Sequence, residues 1–497
     1  MTGVRMSRIV LLLALLALLP TGIALAGKEK PSGQQLPAHS AELPWERARQ
    51  PPLLPGRQFQ NAKELLELLG VDASQWNNLF HDQPLGPGDE EQINRILYLA
   101  PRLGGENTHR WRKTGWNFAE VTASPAAHQG EILQLRGRAT RCERVPLVAE
   151  LVERYEFNHY YRVTLALDDG HSAIVCARYV PLAWTKQEHE HLDEQLDERA
   201  QADGIFLKTS PVEDAPPQLI CASLRVAWLP DRENEARGVT PAAVLLAGRG
   251  FDFGLWDLLQ GRQKRGLEDA DREPFYRLLG VVQKLSPAEL ALRDALPIDI
   301  GVAVKSPEQQ TGQIVTVDGT VNRIDRVEVT SGDLRIWTGL NHYYTLYVFV
   351  PLLHQRIGLQ RNPGDKNPRI FDRHFPVTVC VPELPPGLQP GPAVHEHVRL
   401  QGVFFKVWTY KPQGSPDDKD LPQPSPLVIA PAAVLVSDEV APDGAANILG
   451  GVLFVVLIAV LGIVVWRINL GDARFKREVL DKKILKQDQV DLSRLEE

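Results

Sequence analysis

Three observations predict an α+β chain of two tandem repeats, each a short helical pair followed by a five-stranded small β-barrel, with one transmembrane helix near the C-terminus. Residues 89–145 reappear in recognisable form 182 positions later, as residues 271–327. Behind each copy of the opening, apolar spacing changes from threes and fours to strict alternation, the change from helix to strand. Finally, the stretch 448–466 is apolar throughout and carries no charge.

The chain ends set the topology. Arg5 and Arg8 precede an apolar run, Pro20 and the small-residue triplet Ala24-Leu25-Ala26. That is the pattern of a secretory signal peptide over residues 1–26, cut after Ala26. Residues 27–55, rich in Pro, Gln, Lys and Glu, read as a flexible leader. The transmembrane helix is assigned to residues 447–466, about the length needed for a ~30 Å hydrocarbon core. Asp438, Glu439 and Asp443 precede it, whereas Arg467, Arg474, Lys476, Arg477, Lys482 and Lys483 follow. The positive-inside rule therefore makes residues 467–497 a cytoplasmic tail and the large N-terminal region extracytoplasmic: a single-pass protein of the cell membrane.

Formal net charge is −7, and removing the signal and tail leaves about −10 on the exterior. An acidic exterior is a poor trap for polyanions, so nucleic acid is not the expected partner. Four cysteines are too few to staple a region of this length, which hydrophobic cores must hold instead.

The first helical segment, residues 56–110, places Phe59, Ala62, Leu65, Leu66 and Leu69 at helical spacing before Gly70. A second helix opens on Asp89-Glu90-Glu91, acids that suit the positive end of the helix dipole. The counterpart, residues 248–295, has Asp271-Arg272-Glu273 ahead of Phe275, Leu278, Leu279 and Val282. In the barrels, residues 118–230 and 300–437, the first strand alternates through Leu133, Leu135 and Ala139, or Val315, Val317 and Val321. Gly137 and Gly319 lie inside these strands, where a glycine marks a bulge or sharp bend. Asn158-His159-Tyr160-Tyr161 and Asn341-His342-Tyr343-Tyr344 open the second strands. The third strands hold Cys176 and Cys380, the fourth Gly204 to Lys208 and Gly402 to Lys406, and the fifth Cys221, aligned here with Ile429. Five strands with the widest gap between third and fourth resemble the OB-fold, which implies a binding surface without naming a ligand.

The candidate surface residues are His159, Tyr160, His342 and Tyr343, whose rings could stack on a ligand; in the alternative, Tyr161 with Val163 and Tyr344 with Leu346 pack inward while the others cover the barrel exterior. With them go Arg141, Arg144, Arg323 and Arg326, each pair enclosing an acid, Glu143 or Asp325. Arg136 and Arg138 extend the first pair into a basic stripe that the second copy replaces by Asp318 and Thr320. His189, His191 and Asp193 have an H-x-H-x-D pattern, but residues two apart on a helix point away from each other, so no metal site is assigned. Cys176 and Cys221, on adjacent strands, are either small core residues or a disulfide pair. No serine-hydrolase elbow, zinc-protease signature, phosphate loop or dinucleotide fingerprint occurs. The expectation is a non-enzymatic binding or scaffold protein without cofactor, presenting two OB-like modules to a protein or envelope partner. The competing class is an extracytoplasmic hydrolase with its site between the repeats.

Overall fold

The computed structural model describes residues 59–185, 196–291, 295–353, 355–359, 369–410, 422–436 and 453–467. The expected signal peptide, the leader to residue 55 and the tail beyond 467 lie outside the described residues. The chain divides into two units, residues 1–436 and 437–497.

In the first unit, strands β1 (Ile132–Pro146), β2 (His159–Leu167), β3 (Ser172–Tyr179), β4 (Glu198–Val212) and β5 (Ala215–Trp228) lie in the order β1-β2-β3-β5-β4. β4 pairs back onto β1 and closes the barrel. β1 can serve two partners because it is long: its first half pairs with β4 and its second with β2. Only β3 and β5 run parallel among these five. This is the five-stranded Greek-key barrel of the OB-fold. A second sheet holds β6 (Ile314–Glu328), β7 (His342–Pro351), β8 (His374–Val381), β9 (Glu396–Tyr410) and β10 (Gln423–Ile429). Its order is β6-β7-β8-β10-β9, with β9 pairing back onto β6 and β8 parallel to β10.

Gly137 and Gly319 allow strands to press together, and the bulge comes later. A Cβ on Gly137 would lie 2.0 Å from the Ala166 carbonyl oxygen, and one on Gly319 2.4 Å from that of Phe349. The register shifts at Thr140 and Asn322, between Ala139 and Arg141 and between Val321 and Arg323. The expected bulge therefore sits three residues beyond each glycine, where the strand turns from one partner to the other.

Helices α1 (Ala62–Leu68), α2 (Pro87–Leu99) and α3 (Gly105–Trp111) precede the first barrel, and α4 (Ala149–Tyr155) lies between β1 and β2. Before and within the second lie α5 (Pro241–Gly248), a 3₁₀ helix (Phe253–Leu259), α6 (Asp269–Val282) and, between β6 and β7, α7 (Gly332–Thr338). The helices do not cap an open end alone; they cover the outer face of β2, β3 and β5. Leu66, Ile93 and Leu97 share one core with Tyr160, Cys176 and Ile220, while Leu135, Val163, Val175 and Cys221 fill the barrel interior. The same division places Phe275, Leu278 and Leu279 against Tyr343, Cys380 and Leu427.

Three expectations change. The fifth-strand alignment slips by one: Ala222 and Ile429 both sit beside the third-strand cysteines, so Cys221 corresponds to Val428, and both face a barrel interior. The charged run Gln187–Gln201 reads in the sequence as a surface helix between the third and fourth strands, but Glu198–Gln201 belong to β4, because β1 extends far enough to pair with them. Residues 186–195, including His189, His191 and Asp193, lie outside the described residues. Finally, residues 453–467 form a helix whose side chains are all exposed, yet among the described residues no helix is long and apolar enough to cross a membrane. The start of the expected span, 447–452, is not described.

Each helical layer is fastened to its barrel by one buried ion pair. Lys208 Nζ lies 3.0 and 3.2 Å from the Asp89 carboxylate oxygens, and Lys406 Nζ 3.0 and 3.1 Å from those of Asp271. The register shifts just before each lysine, so Leu207 and Lys208, like Phe405 and Lys406, both reach the helical side instead of alternating into the barrel. Each aspartate also accepts the backbone N–H three residues back, Gly86 at 2.9 Å and Glu268 at 2.8 Å, closing a helix cap. Burial pulls the Lys406 amine below its ordinary value, and Asp271 opposes that pull. Lys406→Met, which strands the Asp271 charge, should destabilise the protein by roughly 3–5 kcal/mol. Lys406→Met with Asp271→Asn removes both charges and keeps a capping oxygen, so it should recover part of that loss. Urea unfolding of the three proteins checks it: equal loss in the single and double variants would show that charge pairing is not what joins helix to barrel.

Candidate functional site

The helical layers decide which sequence-predicted residues reach solvent. Tyr160 and Tyr343 are 1% and 0% exposed, beneath α2 and α6, so neither belongs to a binding surface. Alternation turns their neighbours, Tyr161 and Tyr344, to the opposite face, where they extend the barrel interior toward its open rim. Burial pushes the Tyr160 hydroxyl up to about 12, with Arg162 Nη2 donating to it at 3.3 Å.

At the rim both barrels build the same arrangement. Arg144 stands opposite Tyr161 across β1 and β2, with His159 two pairings further out, opposite Pro146. His159 Nε2 is 3.1 Å from Tyr161 Oη, and Arg144 Nη2 is 3.3 Å from His159 Nδ1. The rings meet edge to face with centroids 5.0 Å apart. In the second barrel His342 Nε2 is 3.4 Å from Tyr344 Oη, Arg326 Nη2 is 3.4 Å from His342 Nδ1, and the centroids are 5.4 Å apart. His159 Nδ1 also lies 2.6 Å from Asn158 Oδ1, so Arg144 and Asn158 both face that nitrogen while Nε2 faces the tyrosine oxygen. Of the residues singled out in the sequence, His159, His342, Arg144 and Arg326 come together here, whereas Tyr160 and Tyr343 lie on the opposite face and Tyr161 and Tyr344 take their place.

Arg141 and Arg323 are not part of these clusters. Arg141 is exposed and bonds to Glu143, whereas Arg323, 13% exposed, lies 2.8 Å from Asp325. The basic stripe is internally paired: Arg138 bonds to Asp197 and, at 2.7 Å, to Asp231, and Arg136 donates to Gln201 at 3.1 Å. His397 lies 2.6 Å from Asp318, which also takes Arg399, so this histidine belongs to a surface ion-pair group. None of the four cysteines is in a disulfide. Cys176 and Cys221 do lie on neighbouring strands, but Cys176 faces the helices and Cys221 the barrel interior, so they do not form the disulfide considered from sequence. Their register pairs Cys221 with Val175 and Cys176 with Ala222. Burial pushes the Cys176 thiol up to about 12, away from reactivity.

A different carboxylate stands out at the junction between the barrels. Asp252 accepts the Trp228 backbone N–H at the end of β5 and the Gly254 N–H, both at 2.9 Å. Nearby, Asp257 accepts the Leu182 N–H at 2.8 Å. Burial raises Asp252 to about 6; Arg225 and the two N–H donors oppose the rise and Glu273 reinforces it. No local motif announces it, because its environment is assembled from distant segments.

Scans of protein-family models and of curated proteins find no match for this chain. Among solved structures, similar chains include a Plasmodium falciparum SSB complex with ssDNA, at 10% identity and TM-score 0.13, covering 25% of this chain and 94% of that one. Fission yeast Pot1 with ssDNA has 10% identity and TM-score 0.15, covering 62% and 84%. Aspartyl tRNA synthetase from Entamoeba histolytica has 10% identity and TM-score 0.16, covering 49% and 52%. Likeness at this level carries no argument about function, and the strand order remains the basis of the OB assignment.

Because Asp252 holds its proton more tightly folded than unfolded, its contribution favours the folded state below 3.8 and is lost as pH rises through about 6. Asp252→Asn keeps an acceptor for both N–H groups without the titration. Over this interval the wild-type Tm should fall relative to that of the variant; parallel Tm profiles would contradict burial as the cause.

Proposed function

We propose that this chain is a membrane-tethered, extracytoplasmic binding or scaffold protein, whose two tandem OB-like modules present their barrel rims to a protein or envelope partner. The observation that carries the reading is the recurrence of the Arg-His-Tyr cluster at equivalent register in both barrels, beside a strand face already covered by helices. OB-folds commonly bind through the face of strands two and three and adjoining loops. Here that face is filled from within, leaving the rims as the surfaces the modules share.

Tandem duplication is supported by matching strand orders, bulges, close-packed glycines and buried Lys–Asp pairs. The exposed apolar side chains of residues 453–467 support membrane attachment, with the flanking charges giving the orientation. The pairing of Arg136 and Arg138 favours a partner other than nucleic acid, since a polyanion track needs several uncommitted cations. The second reading, a hydrolase acting between the repeats, rests on the raised Asp252. That carboxylate is engaged by two structural N–H groups, which favours a role in joining the modules.

Photo-crosslinking from Val148, exposed beside the first rim, in the full-length protein in its own membrane tests the proposal. A discrete adduct should form, and His159→Ala with Tyr161→Ala should reduce it severalfold. A probe at Asp214, in the β4–β5 turn, should give no such adduct. Equal labelling from both positions, or turnover of an ester, peptide or glycoside abolished by Asp252→Asn, would overturn the binding-protein reading.

A further inference from the structure

The two rims share one cluster but differ in charge. In the first barrel, one rung crosses Arg144, Tyr161, Ala177 and Ser223, and a further pairing sets Tyr179 beside Arg225. Tyr179 is 48% exposed and is flanked by two guanidinium groups: Arg178 Cζ lies 5.6 Å from its ring centroid and Arg225 Cζ 5.8 Å. Arg178 also stacks over Phe157 at 3.9 Å, so the cations rest on aromatic surfaces. No carboxylate among the described residues forms an ion pair with Arg144, Arg178 or Arg225, although Arg225 lies in the field of Asp252.

The second rim has lost this character. Arg326 pairs with Glu328 at 3.0 Å, and Pro146 is the residue at the corresponding place in the first barrel. Counting from the matched third-strand cysteines, Arg178 and Tyr179 become Pro382 and Glu383; the β5 and β10 pairings make Arg225 into Ala432.

We infer that the rim of the first barrel is the recognition site for a short acidic peptide segment, whose carboxylates engage Arg144, Arg178 and Arg225 while its backbone lies across Tyr161 and Tyr179. Guanidinium forks match carboxylates in two-point hydrogen bonding, and aromatic neighbours hold the forks in place. Other arginines of this barrel are committed, Arg138 to Asp197 and Asp231 and Arg199 to Asp168, so the uncommitted cations are few, which suits a few acidic side chains better than a continuous polyanion. This inference deepens the proposed binding function and rests on it.

The test is fluorescence anisotropy with a labelled ten-residue Glu-Gly repeat peptide and the detergent-solubilised full chain. Saturable binding should weaken at least about tenfold in Arg144→Ala, the scale of one lost charge-assisted hydrogen bond, and similarly in Tyr179→Ala. Arg326→Ala should leave it unchanged, and a Lys-Gly repeat should not bind. Absence of saturable binding, equal loss in Arg326→Ala, or tighter binding of a thymidine oligonucleotide would overturn the acidic-peptide assignment. Unfolding curves of the same variants separate local loss from misfolding. If the Val148 crosslink persists while the peptide fails, the ligand class is wrong and the binding function stands; if both fail, the binding function itself falls.

Discussion

The attachment of a helical layer to a barrel by one buried lysine–aspartate pair is the constraint on which the other features depend. Two charges removed from water cost several kcal/mol unless geometry and additional hydrogen bonds compensate. Lys406 and Asp271, both 0% exposed, therefore require that strand and helix meet at one place. The bulge before the lysine turns it outward, and the helix cap orients the carboxylate. Apolar packing then fills a gap already defined, with Phe275 against Phe405 and Tyr343 at centroid separations of 5.7 and 5.8 Å. In the first module the same frame carries a less apolar filling: Asn94 is 1% exposed at the position of Tyr276, and the pair there is slightly more open, with Asp89 at 9%. The polar pair sets the geometry, whereas the apolar layer tolerates divergence.

This arrangement separates fold from the function usually associated with it. A Greek-key barrel offers its second and third strands as a platform, and the expectation of stacking from Tyr160 and Tyr343 followed from that habit. Both tyrosines instead pack against the protein's own helices. The barrel thus becomes a rigid support whose exposed chemistry is displaced to the rim, where β1 runs beyond its pairing with β4 and stays paired with β2. Rigid strands are good places for such a cluster: Arg144 and Tyr161 are held by the ladder itself, and His159 is locked between them by hydrogen bonds.

Much of this was legible in the sequence, for identifiable reasons. Alternation through Leu133, Leu135 and Ala139 marks a strand because one face is buried, and Asp89 and Asp271 mark helix starts because acids belong there. What could not be read is whatever depends on which of two opposite faces is covered. Tyr160 and Tyr161 are identical in type and adjacent, and only the placement of α2 distinguishes them. The slip at Cys221 has the same origin: the short apolar run through Leu219, Ile220, Cys221 and Ala222 offers no alternation to fix its register. Lys208 and Lys406 were visible as strand ends but not as partners of Asp89 and Asp271, since each pair closes a loop of more than a hundred residues, 119 and 135.

The two rims follow from the same logic. The two barrels share strand order, close-packed glycines and a buried pair, and the residues holding the fold cannot change without disturbing that pair or the strand crossing at Gly137 and Gly319. Rim residues outside those contacts are freer to vary. In the first barrel they carry guanidinium groups on aromatic supports without an ion-pair partner among the described residues; in the second, Glu328 neutralises Arg326 and Glu383 replaces the exposed tyrosine. The histidine–tyrosine hydrogen bond persists in both, which assigns it to shaping the rim, while the surrounding charge differs and is, under the proposed binding function, what would distinguish their partners. The two barrels thus present rims of different charge from one scaffold, the first concentrating guanidinium groups on aromatic rings and the second setting Glu328 against Arg326.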